Sequence, residues 1–179
     1  MCKNTSSTYG GVSRIFHWVV GLMIIILLCV GFYMTGLEPS DQKWEIYGLH
    51  KATGVMVLAL VALRFGWRLI NIIPDLPKTI PNWQAIGYKF GMKIMYVFMF
   101  LMPASGILMS LYSARDIPVY GMFTIKSFEL NKELATIFHT IHEYSGIALA
   151  CIIGFHTLMA LYHHFFVKDR LLMRIIVGK

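Results

Sequence analysis

The sequence predicts an all-α fold, an integral membrane four-helix bundle. Composition is the first reason. The 179-residue chain is 57% hydrophobic and only 14% charged, whereas soluble domains carry about 25% charged residues. Apolar run length is the second. Residues 15–36, 90–111 and 147–161 are almost uninterrupted apolar stretches, and a helix crossing the hydrocarbon core needs about 20 such residues. The third reason is a fourth, shorter run, 52–63, which ends in Arg64 and Arg68 one turn apart. Their long stems reach the interface from inside the membrane, so flanking residues extend that run to 49–73. The expected helices are about 14–36, 49–73, 88–112 and 134–166, in a single domain over 1–179 with no separate soluble part.

The first helix is expected to be retained. Its apolar run is longer than a signal-peptide core, no A-x-A site follows it, and His17 lies near its start. The 71–82 link holds Pro74, Pro77 and Pro81, which break any helix there. Residues 82–93, with Trp83, Tyr88, Lys89 and Lys93, form an interfacial lead-in to helix three. In the 112–133 loop, Pro118 and Gly121 mark turns, and Val119, Tyr120, Met122, Phe123 and Ile125 are candidates for a lid on the bundle.

The formal charge of +7 follows topology and is no nucleic-acid signal. Eleven Lys and Arg lie in the N-terminus, the 64–93 segment and the C-terminal tail, with only Asp75 and Asp169 among them. The other two connections hold five Lys and Arg against seven acids. The positive-inside rule therefore puts both termini and the middle loop in the cytoplasm, in a multi-pass protein surrounded by membrane lipid.

Cys2, Cys29 and Cys151 form no disulfide framework. Without a C-x-x-C-H, any haem would be held non-covalently. Neither C-x-x-C pairs nor H-E-x-x-H occur, so zinc and iron–sulfur sites have no support.

Histidine is the informative residue. His17, His50, His142 and His156 lie inside the expected spans, where a ring nitrogen without a partner is costly. Helix direction sets their depths. His17 lies toward the cytoplasm and His50 toward the opposite face. His142 and His156, fourteen residues apart on helix four, stand about 21 Å apart along the axis and on nearly one face. The pairing by height is His50 with His142, and His17 with His156. One helix offers two ligands and two others offer one each, a pattern that suits paired axial ligands for two haem irons. Gly21, Gly54 and Gly146 each follow a candidate ligand by four residues, and Ala160 follows His156. A small residue there leaves room for a flat macrocycle, although Gly in membrane helices also serves close packing.

The remaining polar residues have two readings each. His163 continues the helix-four stripe seven residues beyond His156. It would bond a haem propionate or a quinone carbonyl, or else reach the interface as an ordinary terminal residue. Arg14, Arg64, Arg68 and Lys168 gather at the same end, to pair haem propionates or lipid phosphates. His139 reads as interfacial, and His164 has no role.

Several short segments together resemble the bacterial cytochrome b561 family of dihaem transmembrane b cytochromes. They are R-I-F-H-W (Arg14 to Trp18), H-K-A-T-G (His50 to Gly54) and L-M-P-A-S-G (Leu101 to Gly106), with I-H-E-Y-S-G, G-F-H and H-H-F-F-V-K-D in helix four. The resemblance implies two non-covalent b haems on His17, His50, His142 and His156, in a bacterial inner membrane. It implies electron transfer between the outer face and the quinone pool, in part of the family from superoxide to ubiquinone. His163 and Lys168 match a segment associated with the quinone end. Helix three departs from the family in carrying Lys89 and Met92 where similar proteins often have histidine. The alternative function is that of an electron-transfer subunit for a hydrogenase- or dehydrogenase-type complex. The short outer loops favour the autonomous oxidoreductase, for which a protein partner is not required.

Overall fold

The computed structural model describes residues 2–77 and 80–178; Lys78 and Lys179, two of the basic residues counted above, lie outside them. Four long helices dominate: α1 (Gly11–Thr35), α2 (Asp41–Leu69), α3 (Asn82–Tyr112) and α4 (Lys132–Tyr162). A hairpin of β1 (Ile117–Val119) and β2 (Phe123–Ile125) joins α3 to α4, and a π-helical turn (His163–Val167) leads from α4 to a short α5 (Leu171–Ile176). Each of the four long helices is long and apolar enough to cross a membrane.

All four helices start earlier than hydropathy alone suggests, and in two of them polar caps nucleate the start outside the apolar run. The Ser40 hydroxyl accepts from the Lys43 N–H at 3.2 Å, and Asp41 occupies the first turn. That pair satisfies an orphan donor and complements the helix dipole, so α2 begins eight residues before the expected 49. His50 thus sits well inside the helix. Asn131 caps α4 in the same way, accepting from Leu134 N–H at 3.0 Å. The 82–93 lead-in is continuous with α3. Pro103 lies within α3 without ending it, as membrane helices tolerate when neighbours cover the freed backbone.

The helices pack as a bundle, α3 most extensively along α4, with α1 against α2 and α2 against α3. A buried core of Val20, Ile24, Leu27, Val57, Val61 and Leu149 fills the middle. Leu149 lies seven residues from both His142 and His156, and Val57 lies seven from both His50 and Arg64. Seven residues are nearly two turns, so each polar stripe passes through the apolar core at mid-height. The outward surfaces are apolar, with Leu22, Ile26, Phe32, Val97 and Phe155 all more than half exposed. A surface of that kind suits hydrocarbon as its solvent.

The two ends differ. At one end the hairpin covers the bundle through Ile117, Val119 and Ile125, whereas Tyr120, Met122 and Phe123, expected to join the lid, are exposed because they lie in and beside the turn. Ile117 and Val119 are fully buried against Leu111, with Val55 and Ile107 beside them. Tyr120 and Gly121 both take positive φ in its turn, which glycine permits at no steric penalty. Lys126 and the N–H and hydroxyl of Ser127 all donate to Asp116, at 2.8–2.9 Å. They hold its carboxyl down at about 2.

At the other end both chain termini and the 71–75 link interlock. Asn4 donates to Asn71 Oδ1 and Ile72 O and accepts from Gly10 N–H and Ser13 Oγ. The C-terminal tail, read from sequence only as a basic segment, supplies α5, whose Arg174 donates to Asp75 O at 2.7 Å.

Candidate functional site: two facing histidine pairs

The four candidate ligands come together as two pairs. His17 on α1 faces His156 on α4 with ring centres 6.3 Å apart and planes at 53°. His50 on α2 faces His142 on α4, also at 6.3 Å, with planes at 88°. Metal–imidazole bonds run about 2.0–2.1 Å, and a ring centre lies about 1.1 Å behind its nitrogen. Two rings on opposite sides of one metal therefore stand about 6.3 Å apart. Among the described residues no three or more His, Cys, Asp or Glu gather into a metal site. A bare metal needs three or four protein ligands. Two facing histidines instead fit a metal that brings its own equatorial ligands, as haem does.

At the hairpin end the pair borders a cavity of about 40 Å³, lined by His50, Gly54, Val57, Met99, Gly106 and His142. His142 Nδ1 donates to the Met102 carbonyl at 2.8 Å, which leaves Nε2 with its lone pair for a metal. His50 Nδ1 is buried without a hydrogen-bond partner. Such an atom is costly unless something further occupies the site.

The glycine expectation holds at some positions and fails at one. A side chain at Gly21 or Gly54 would meet nothing within 4 Å, so both leave open space one turn from a candidate ligand. Gly146 does not: its Cβ would touch Met102 at 3.8 Å and Leu28 at 4.0 Å, so this glycine serves helix packing. Two other glycines abut the rings. A Cβ on Gly106 would come within 2.7 Å of His142 Cε1, and one on Gly31 within 3.4 Å of His50 Cε1. Neither follows a histidine by four, so the spacing rule missed them. Gly31 was legible another way, being fourteen residues from His17 on the same α1 stripe.

At the terminal end Arg64 Nη2 stands 3.3 Å from His17 Nδ1. Guanidinium only donates, so this contact leaves the His17 proton on Nε2. A metal at Nε2 would require that proton on Nδ1. The Arg64 contact to Nδ1 would then be lost. Arg64 and Arg68 both lie over the Tyr96 ring, at 5.7 and 5.6 Å, a residue that sequence alone did not single out. Arg14 Nε is buried and unpartnered. Tyr9 nearby has its phenol pushed up by burial, then by Tyr88.

His163 is buried and donates Nδ1–H to Asp169 Oδ2 at 2.6 Å. Asp169 is the last residue of the H-H-F-F-V-K-D segment, and spacing alone does not single it out. Lys168 is exposed and takes a left-handed backbone conformation at φ 59°. His139 is exposed, 4.0 Å from Glu143, in line with an interfacial place.

On the hairpin face, Trp44, Tyr47, Lys51, Arg115 and Asp116 line an open pocket. Lys51 borders both this pocket and the space beside His50 and His142.

A family model described as prokaryotic cytochrome b561 matches residues 8–178. Cytochrome b561 homolog 2 of Escherichia coli (strain K12) is 29% identical over 178 residues, covering 97% of this chain and 93% of that protein. The probable superoxide oxidase CybB of Yersinia pestis is 26% identical over 164 residues, covering 91% and 92%. Cytochrome b561 homolog 1 of Escherichia coli (strain K12) is 24% identical over 161 residues, covering 88% and 90%.

Proposed function

The chain belongs to the prokaryotic cytochrome b561 family of membrane electron-transfer proteins, and from that premise we propose that it moves electrons from a small anionic donor, superoxide, to ubiquinone. Two b haems would be held, one by His50 and His142 and one by His17 and His156. Bound there, b haem supplies reversible one-electron transfer. A haem held by two histidines would offer a substrate no open place at the metal, so donor and acceptor would react at the two ends of the protein. The positive-inside charge pattern supports the orientation: hairpin face outward, termini in the cytoplasm, in a bacterial inner membrane.

The observation that carries the donor assignment is Lys51. It lines the outward pocket together with Arg115 and also borders the space at His50 and His142. The outer loops as a whole carry more acids than bases, so attraction of an anion has to be local. Lys51 supplies it beside the outer pair, and Arg115 in the adjoining pocket. Superoxide gives up one electron and leaves as dioxygen, with no bond to protein and no proton to place. The printed name of the Yersinia pestis relative is in keeping with that donor.

At the cytoplasmic end, Arg14 and Arg64 take propionates, and His163 with Lys168 borders the quinone. Stopped-flow mixing of the oxidised protein with superoxide, with and without ubiquinone, tests the reading. Rapid haem reduction that reverses on adding quinone is expected. Failure of superoxide to reduce the haems would remove this donor and favour an electron-transfer subunit of a larger complex.

A further inference from the structure

We propose that Asp169 is a positioning residue for proton transfer to quinone, acting through His163; this rests on the reading of His163 as the quinone-end residue. The local backbone is built to bring the two together. After Tyr162 the chain winds into a π-helical turn, and Lys168 adopts a left-handed conformation at φ 59°. The N–H groups of Lys168 and Asp169 both donate to the His163 carbonyl. In a regular α-helix the residue six positions on lies about 9 Å along the axis and well round the cylinder. The wide turn and the left-handed residue instead set Asp169 Oδ2 2.6 Å from His163 Nδ1. Single π-turns in long helices gather at functional sites, and a left-handed non-glycine residue carries strain that needs a compensating contact.

The pair is largely buried. The two side chains are 10% and 9% exposed, and the second carboxylate oxygen accepts from Leu171 N–H at 3.0 Å. Apolar residues would serve stability as well or better at such a place. What the carboxylate adds is direction. By taking the Nδ1 hydrogen it locks the ring and leaves Nε2 as the position for a ligand, as carboxylates do for catalytic and metal-bound histidines. Among the described residues no side chain claims Nε2. His163 lies seven residues beyond His156, about 10.5 Å further along the same stripe.

The chemistry balances. Quinone takes two electrons, delivered singly, and two protons; both carbonyls become hydroxyls. For a proton delivered through His163, the Nε2–H bond breaks and a quinone O–H bond forms. The ring then regains a proton from water at the cytoplasmic face. Throughout this exchange Asp169 keeps hold of the Nδ1 hydrogen and so keeps Nε2 directed at the quinone.

The test uses the haem-loaded protein, chemically reduced without oxygen and mixed with a short-chain ubiquinone while the haem absorption is followed. Asp169→Asn keeps an acceptor for Leu171 N–H. It should lower the reoxidation rate at saturating quinone at least tenfold, with the half-saturating concentration within twofold. Asp169→Glu should restore most of the rate. Asp169→Asn combined with His163→Ala should be no slower than His163→Ala alone, since both act through one ring. An unchanged saturating rate in Asp169→Asn, or a double variant slower by the product of the two effects, would overturn the proposal. So would slowing that comes with lost haem and is not restored by Asp169→Glu, because that assigns Asp169 to structure alone. If His163→Ala itself reoxidises normally, the quinone reading of His163 falls and this inference falls with it. A slow His163→Ala beside a normal Asp169→Asn removes only the inference.

Discussion

Gly106→Ala offers a sharp test of the outer histidine pair, because the perturbation is one methyl group. The new Cβ would stand 2.7 Å from His142 Cε1 and 2.8 Å from Nδ1. Relaxed carbon contacts lie near 3.5–4.0 Å, so the ring must retreat by about 0.8 Å. The Met102 carbonyl that accepts from Nδ1 belongs to α3, the helix that carries the methyl. Retreat stretches that 2.8 Å bond to about 3.6 Å, beyond hydrogen-bonding range. Loss of such a supporting partner lowers metal affinity about ten- to hundredfold, and the same retreat pulls Nε2 off the axis toward His50. Haem content by the pyridine haemochrome assay should fall from about two per chain toward one when haem is limiting. Gly87→Ala is the control. It lies on the same helix, and its Cβ would meet nothing within 4 Å. Two haems in Gly106→Ala, with spectrum and potentials matching the parent, would refute the placement of His142 as a ligand.

Further outcomes follow from the same geometry. His50→Ala and His142→Ala should each abolish one redox transition, and His17→Ala and His156→Ala the other, in spectroscopic titrations; a shared loss between His50 and His17 would break the pairing. Gly54→Leu fills the space beside His50 and should lower haem content while the apoprotein stays folded, as judged by circular dichroism. Lys51→Glu places an acid in the outward pocket and should slow reduction by superoxide about tenfold at low salt, with the deficit shrinking as salt rises. Asp116 is held at about 2, below its ordinary 3.8, by Lys126 first and then by Ser127. A depressed carboxyl stabilises fully above the unfolded value and loses that contribution as pH falls through the folded one. Hydrogen exchange at Ser127, corrected for its intrinsic rate, should therefore hold steady from pH 7 to about 5 and rise between about 4 and 2. Asp116→Asn should show the faster exchange already at neutral pH.

Spans and depths were readable from sequence because both are one-dimensional quantities. Bilayer thickness sets how many apolar residues a helix needs, and helical rise converts the fourteen residues between His142 and His156 into a separation along the axis. Charge imbalance between alternate loops supplied the expected orientation without reference to packing. Such arguments ran out wherever a partner lies far away in the chain. Gly106 reaches the His142 ring across thirty-six residues, and the Met102 carbonyl orients that ring across forty. The spacing rule credited Gly146, which packs against Met102 and Leu28 instead. A glycine's neighbours depend on which face its helix turns to the bundle, and periodicity leaves that choice among apolar faces open.

What the sequence by itself determined is the set of four membrane-length helices and a ladder of four histidines at two heights. Helix period and apolar length are local properties, written into consecutive residues. Only the tertiary structure decided the 6.3 Å facing of each pair, the hairpin lid over the outer one and the approach of Lys51 to both pocket and pair. It alone set the turn that folds Asp169 back onto His163. Those contacts depend on helix rotation, crossing and a break from α to π winding, which arise from the packing of whole elements and not from any one stretch of chain.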